Sequence, residues 1–229
     1  FSLSRGLGDV YKRQVMKIAV VDCGSGNLRS VVRSLERAAS ECGVEAEVEI
    51  TRSSKTISTA DRLVMPGQGA FARCMAGVTG IPGLADSLSE AVVTRKRPFL
   101  GICVGMQLMA SRSTEHGHHE GLNWIPGLVD TIAPTDPALK IPHMGWNSLS
   151  IQNTDHPVLK NVPAGSHVYF VHSYHVICDA KHDCFATTDY SGQVTAIIGK
   201  DNVIGTQFHP EKSQSVGLAL LRGFLEWRP

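Results

Sequence analysis

The 229-residue chain is nearly without net charge: 22 basic residues stand against 21 acidic ones. That balance gives no broad attraction to nucleic acid or to an anionic membrane, so a phosphate-bearing partner would have to be recognised locally. No apolar run is long enough to span a bilayer. No internal repeat and no low-complexity stretch occurs, which excludes solenoids and linker-like chains. The first residues, FSLSRGLGDVYKRQV, lack both an apolar central run and a small-residue cleavage site, so the expected compartment is reducing and cytosolic. The six cysteines (Cys23, Cys42, Cys74, Cys103, Cys178 and Cys184) are therefore read as single thiols, since a core of this size needs no disulfide staples.

What is present begins at Met16, where the strand pattern KIAVVD starts abruptly. Residues 1–15 are expected to be a non-native or disordered extension, with a surface-packed extension as the alternative, and 16–229 to be one domain. Lys17 to Val21, Val44 to Ile50, Arg62 to Met65 and Pro98 to Ile102 read as buried strands. Leu28 to Ala39 and Leu84 to Arg95 carry helical spacing between them. Strand, helix and strand in repetition imply an α/β fold with a central, mostly parallel sheet flanked by helices. Further on, Leu128–Ile132, Trp146–Leu149, Val168–Val171, Phe185–Thr188, Val194–Ile198 and Val203–Gln207 are strand candidates with few helical patterns among them. They are expected as antiparallel additions to that sheet. A last helix is placed over Ser215 to Glu226.

The sharpest local signal is Gly101-Ile102-Cys103-Val104-Gly105-Met106-Gln107. A buried strand meets a helix at one cysteine with glycines two positions to either side, the pattern of a nucleophile elbow. A helix N-terminus there would favour thiolate, and the Val104 N–H would face an oxyanion formed at the sulfur's target. A small buried hydrophobe is the bland alternative. Cys23, Cys42 and Cys74 lack this setting and are expected to be inert. A thiolate nucleophile needs a proton shuttle, and of ten histidines His209 stands out, in Gln207-Phe208-His209-Pro210-Glu211. Pro210 biases His209 to extended backbone, where Glu211, two residues on, would share its face and orient the ring. A surface His–Glu pair is the alternative. Glu115-His116-Gly117-His118-His119-Glu120 matches no zinc spacing and is read as a solvated loop. Cys178, His182 and Cys184 lack a fourth ligand, so no metal is expected. His143 and His172 are left as binding or interface candidates.

The elbow followed at this separation by Phe208-His209-Pro210-Glu211 resembles the class I, triad-type glutamine amidotransferases, from Met16 to the C-terminus. The resemblance implies a fold of that class and a glutamine-hydrolysing site with no cofactor, in which Cys103 attacks, His209 shuttles protons and Glu211 orients. It places the oxyanion strand at Pro66-Gly67-Gln68-Gly69, with Gly67, Gln68 and Val104 forming the hole; Gln68 stands where the family more often has Val. Gln107, Ser173 and Tyr174 match positions that hold glutamine. Three segments, Asp22 to Val31, Pro142 to Asn147 and Tyr169 to His175, narrow the resemblance to one branch. Its members pass ammonia through a channel to a cyclase partner of (β/α)8-barrel fold, as a heterodimer. Pro142, Trp146, Asn147 and Tyr169 would then lie at the interface, with a core position as the alternative for Trp146. Two readings stay open beside it: a glutaminase serving another synthase, of the pyridoxal phosphate or anthranilate type, and a non-catalytic binding subunit.

Overall fold

The computed structural model describes residues 15–229, so the expectation for the opening segment, Val15 apart, falls outside the described residues. In chain order the elements are β1 (Met16–Val21), α1 (Leu28–Glu41), β2 (Ala46–Thr51), α2 (Ser54–Thr59), β3 (Arg62–Gly67), α3 (Phe71–Thr79) and α4 (Leu84–Ser89). Next come β4 (Phe99–Cys103), α5 (Val104–Gln107), β5 (Arg112–Ser113), β6 (His119–Glu120), β7 (Gly127–Thr131), β8 (His143–Ser148) and β9 (Ser150–Ile151). The chain ends with β10 (His167–His172), β11 (Tyr174–Cys178), β12 (Cys184–Asp189), β13 (Gln193–Lys200), β14 (Val203–Thr206) and α6 (Gln214–Glu226).

One eight-stranded sheet, ordered β2-β1-β3-β4-β14-β13-β12-β9, forms the centre. Strands β2, β1, β3, β4 and β14 run parallel, while β13, β12 and β9 are the antiparallel additions. The central strands read as unbroken apolar runs because both faces are covered; β3 and β4 are buried along their whole lengths. Helix α1 turns Val31, Leu35, Ala38 and Ala39 inward at helical spacing, and the Asn27 side chain caps it by accepting from the Ser30 N–H.

Three of the expected strands go elsewhere. The segment from Gly127 to Thr131 joins a separate four-stranded sheet, β11-β7-β5-β6, and β8 pairs with β10 in a two-stranded sheet. Strand β8 starts at His143, three residues ahead of the expected Trp146, so most of the Pro142–Asn147 stretch is strand. The helix expected over Leu84 to Arg95 loosens after Ser89 into one π-turn, Glu90–Thr94. Helices α2 and α3 were not anticipated: α2 is short, and α3 has Gly77 inside it, pressed against the Cys23 carbonyl where a Cβ would overlap. No helix among the described residues is long and apolar enough to cross a membrane.

Arg62 opens β3 and is 1 % exposed. Its guanidinium donates to the Leu225 and Trp227 carbonyls, both at 2.7 Å, and lies over the Phe224 ring, so it ties the first half of the sheet to the C-terminal end of α6. Burial pulls its pKa down to about 10, still charged at neutral pH. Arg62→Met would leave two buried carbonyls without donors. Urea unfolding of that variant is expected to show a loss of about 2–4 kcal/mol, and a loss under about 0.5 kcal/mol would contradict this role.

Candidate active site

Cys103 closes β4 with φ +55° and ψ −114°, a backbone region that a non-glycine residue enters only under constraint. The constraint is crowding. A Cβ on Gly101 would come within 2.6 Å of the Gly105 carbonyl, and one on Gly105 would overlap the Met65 carbonyl of β3. Gly67, paired with Cys103 across β3 and β4, comes equally close to the Gly105 amide. Strand, strand and turn therefore meet backbone to backbone, and the chain can leave β4 only by a sharp bend. The helix that follows is a single turn, α5, so any field along its axis is far smaller than a long helix would supply. As its first residue, Val104 has an N–H outside the helix's own ladder of bonds.

His209 comes from the other side of the same parallel core, just past β14. Its backbone N–H donates to the Tyr169 carbonyl, and Ser213 bridges the two segments by donating to the His209 carbonyl and accepting from the Tyr169 N–H. His209 is extended as expected, but Glu211 lies in a 3-10 turn, Pro210–Lys212, so the pair is joined by a turn and not by strand alternation. Nδ1 of His209 is 2.8 Å from Glu211 Oε1, with the two side chains 8 % and 2 % exposed. A carboxylate buried this completely fixes the ring with its proton on Nδ1 when neutral. Nε2 of His209 and Oε2 of Glu211 are buried without a hydrogen-bond partner.

Cys103, Val104 and His209 line one cavity of about 540 Å³ with Gln68, Gln107, Glu115, His172, Ser173 and Tyr174. Burial by itself would lower the imidazole pKa, but the neighbouring Cys103 sulfur and the Glu211 carboxylate outweigh it and raise His209 to about 9. The sulfur and the ring are thus close enough to act on one another. An imidazolium that persists at neutral pH beside a cysteine sulfur, with a carboxylate behind it, can deliver a proton to a leaving group and take one back from water.

The oxyanion strand is engaged elsewhere. The Gln68 N–H donates to Ser25 Oγ at 3.4 Å, and two thiols brace the same strand, Cys23 donating to the Pro66 carbonyl and Cys74 to the Gln68 carbonyl. Ser25 and Cys74 are 3.0 Å apart. Cys23 lowers the Cys74 pKa, while the Cys74 neighbour and burial push the Cys23 thiol up. Gln107 donates from Nε2 to the Tyr174 carbonyl and to Gln207 Oε1, leaving its own Oε1 for a ligand.

Two residues of this site escaped the sequence, Glu115 on the cavity wall and Gln207 behind Cys103. Glu115, expected in a solvated loop, is 8 % exposed and accepts from the Phe71 N–H at 2.6 Å, with its carboxylate on the cavity wall. Gln207 is wholly buried, its Nε2 3.7 Å from Cys103 Sγ. No local spacing marks Glu115; Gln207 sits two residues before His209, where strand alternation could have pointed it the same way. Among the described residues no cluster of three or more His, Cys, Asp or Glu could hold a metal. Pro142 lines the cavity mouth, while Trp146 and Tyr169 stand opposite each other on β8 and β10 with ring centroids 6.0 Å apart. Trp146 is 48 % exposed and not a core residue, and Ile141 and Met144 beside it are exposed too. Asn147 is partly buried, donating to the Asp189 carbonyl.

A family profile, glutamine amidotransferase class-I, matches residues 19–226. The imidazole glycerol phosphate synthase subunit HisH of Rhodospirillum rubrum is 54% identical over 214 residues, 93% of this chain and 100% of that protein. The subunit of the same name from Agrobacterium fabrum is 50% identical over 217 residues, again 93% and 100%. Among solved structures, a glutamine amidotransferase superposes with a TM-score of 0.66 at 16% identity, covering 91% of this chain and 97% of the other. A glutamine amidotransferase from Thermotoga maritima gives 0.63 at 14% identity, covering 93% and 97%. These two likenesses bear on the fold alone.

The raised His209 pKa has a definite sign. The folded chain keeps a proton that an unfolded histidine releases near 6.5, so its contribution to stability is full below that pH and is lost as pH rises through about 9. Histidine NMR should find the His209 midpoint near 9 and lower in Cys103→Ala, where burial is less opposed. A midpoint that ignores the sulfur would break the link between the two groups.

Proposed function

The chain belongs to the class-I glutamine amidotransferases, and from that premise we infer that it is the glutaminase subunit of an imidazole glycerol phosphate synthase, in histidine biosynthesis. It hydrolyses glutamine to glutamate and ammonia for a cyclase. One observation carries the site assignment: a buried His209–Glu211 pair shares a cavity with a cysteine held at positive φ between two crowded glycines.

In our reading Cys103 Sγ attacks the side-chain carbonyl carbon of glutamine. The tetrahedral oxyanion meets the Val104 N–H, because the Gln68 N–H is occupied by Ser25 in this arrangement. His209, charged at neutral pH, protonates the departing ammonia from Nε2 and leaves a γ-glutamyl thioester on the sulfur. The neutral ring then takes a proton from water, whose oxygen attacks the thioester and restores the thiolate while glutamate departs. Glu211 holds Nδ1–H throughout. Gln107 Oε1, the Ser173 and Tyr174 backbone and the Glu115 carboxylate bound the far end of the cavity, a set suited to an α-amino acid; Glu115 supplies the charge that an ammonium group needs.

We place the amidotransferase domain over 16–229, in the cytoplasm, with residues 1–15 outside it. The cyclase, a (β/α)8-barrel, would complete a heterodimer by covering the β8–β10 face. Support for that face comes from its exposed Ile141, Met144 and Trp146 beside Tyr169, with Pro142 joining it to the cavity mouth. A hole whose Gln68 donor is engaged by Ser25 fits a subunit that works slowly until its partner is bound.

Cys103→Ala should abolish glutamine-dependent product formation in the reconstituted pair, by at least about a thousandfold, while free ammonia still supports the cyclase. Equal loss with both nitrogen sources would contradict the scheme. In Glu211→Gln, turnover should fall by about a hundredfold with little change in glutamine KM, and an unaltered rate would remove Glu211 from the chemistry.

A further inference from the structure

A buried line of polar groups reaches the nucleophile from the β8–β10 face, and the chemistry above leaves it unexplained. Asn147 Nδ2 donates to the Asp189 carbonyl at 2.8 Å and lies 3.3 Å from His143 Nε2. An amide nitrogen can only donate, so His143 accepts at Nε2 and carries its proton on Nδ1. That Nδ1 is 3.1 Å from His172 Nε2, which must accept in turn. His172 then donates from Nδ1 to the Tyr174 carbonyl at 2.8 Å. The same carbonyl accepts from Gln107 Nε2, whose second hydrogen goes to Gln207 Oε1 at 3.1 Å.

Each amide in this chain has one permissible orientation. Turning Gln107 over would set its oxygen against the Tyr174 carbonyl. Turning Gln207 over would set two NH2 groups against each other. Gln207 is therefore fixed with its NH2 toward Cys103 Sγ, 3.7 Å away. All four side chains between Asn147 and the sulfur are buried: His143 3 %, His172 6 %, Gln107 3 % and Gln207 0 % exposed. Burial also pulls His143 to about 4 and His172 to about 3, so both rings stay neutral and the direction of the chain holds across physiological pH.

We infer that Gln207 is a further catalytic residue: its carboxamide donates to the Cys103 sulfur, and Gln107, anchored on the Tyr174 carbonyl, holds it in that orientation. A donor of this kind favours the charged sulfur over the neutral thiol and fixes it for attack. In a site closed to water, a donor that cannot turn away is worth more than one free to rotate. The inference rests on Cys103 as the nucleophile.

The test is alkylation of the full chain by iodoacetamide at pH 7, followed on the Cys103 peptide by mass spectrometry. Gln207→Met keeps the volume and removes the donor. The Cys103 rate should fall about tenfold, and in the reconstituted pair kcat should fall with it while glutamine KM stays within about twofold. An unchanged alkylation rate in a folded variant overturns the inference. If that variant does not fold, Gln207→Glu keeps the shape and puts an acceptor where the donor was: Cys103 alkylation at pH 7 should fall at least as far, and an unchanged rate overturns the inference. Should Cys103 of the wild-type chain show no reactivity above the other cysteines, the nucleophile assignment itself falls, a result distinct from a failure of Gln207 alone.

Discussion

Backbone crowding where β3, β4 and α5 meet decides where everything else in this site must go. Gly67, Gly101 and Gly105 approach so closely that side chains there would overlap main-chain atoms, and the chain has only one exit from β4. That exit puts Cys103 at φ +55°. A strained residue persists only if its surroundings over-determine it, and a fully buried parallel sheet on both sides does that. Once the sulfur is fixed at the carboxyl ends of β3 and β4, its partner must come from a neighbouring strand. β14 pairs with β4 in parallel and delivers His209 at the same end of the sheet.

The electrostatics follow from that placement. Glu211 is buried against the ring it orients, so its charge is not diluted by water, and together with the sulfur it reverses the effect of burial on His209. His143 and His172 have no carboxylate partner, and burial drives both to the neutral form. Three buried histidines thus divide into one proton carrier and two neutral hydrogen-bonding rings. The presence or absence of a buried anion separates them.

Much of this was legible in the sequence, for reasons that can be named. Glycines two residues either side of Cys103 carry steric information locally, and Pro210 marks His209 as extended, though not the turn that brings Glu211 to the ring. The parallel strands are readable because burial on both faces makes them continuous apolar runs. Glu115 was not legible: its burial depends on the Phe71 N–H, 44 residues away in the chain. Gln207 acquires its role only through contacts to Gln107 and Cys103 about a hundred residues earlier. The Ser25 bond to Gln68 spans 43 residues and likewise has no local signature. The small sheet β11-β7-β5-β6 was missed because β5 and β6 are two residues each, too short for any periodicity.

The account stands most directly on covalent chemistry at one sulfur. The subunit paired with its cyclase, quenched in acid during glutamine turnover and digested, should yield a γ-glutamyl thioester on the peptide carrying Cys103 and on no other cysteine. Glutamine hydrolysis that proceeds at full rate with that peptide unmodified, or with the adduct on another residue, would contradict it.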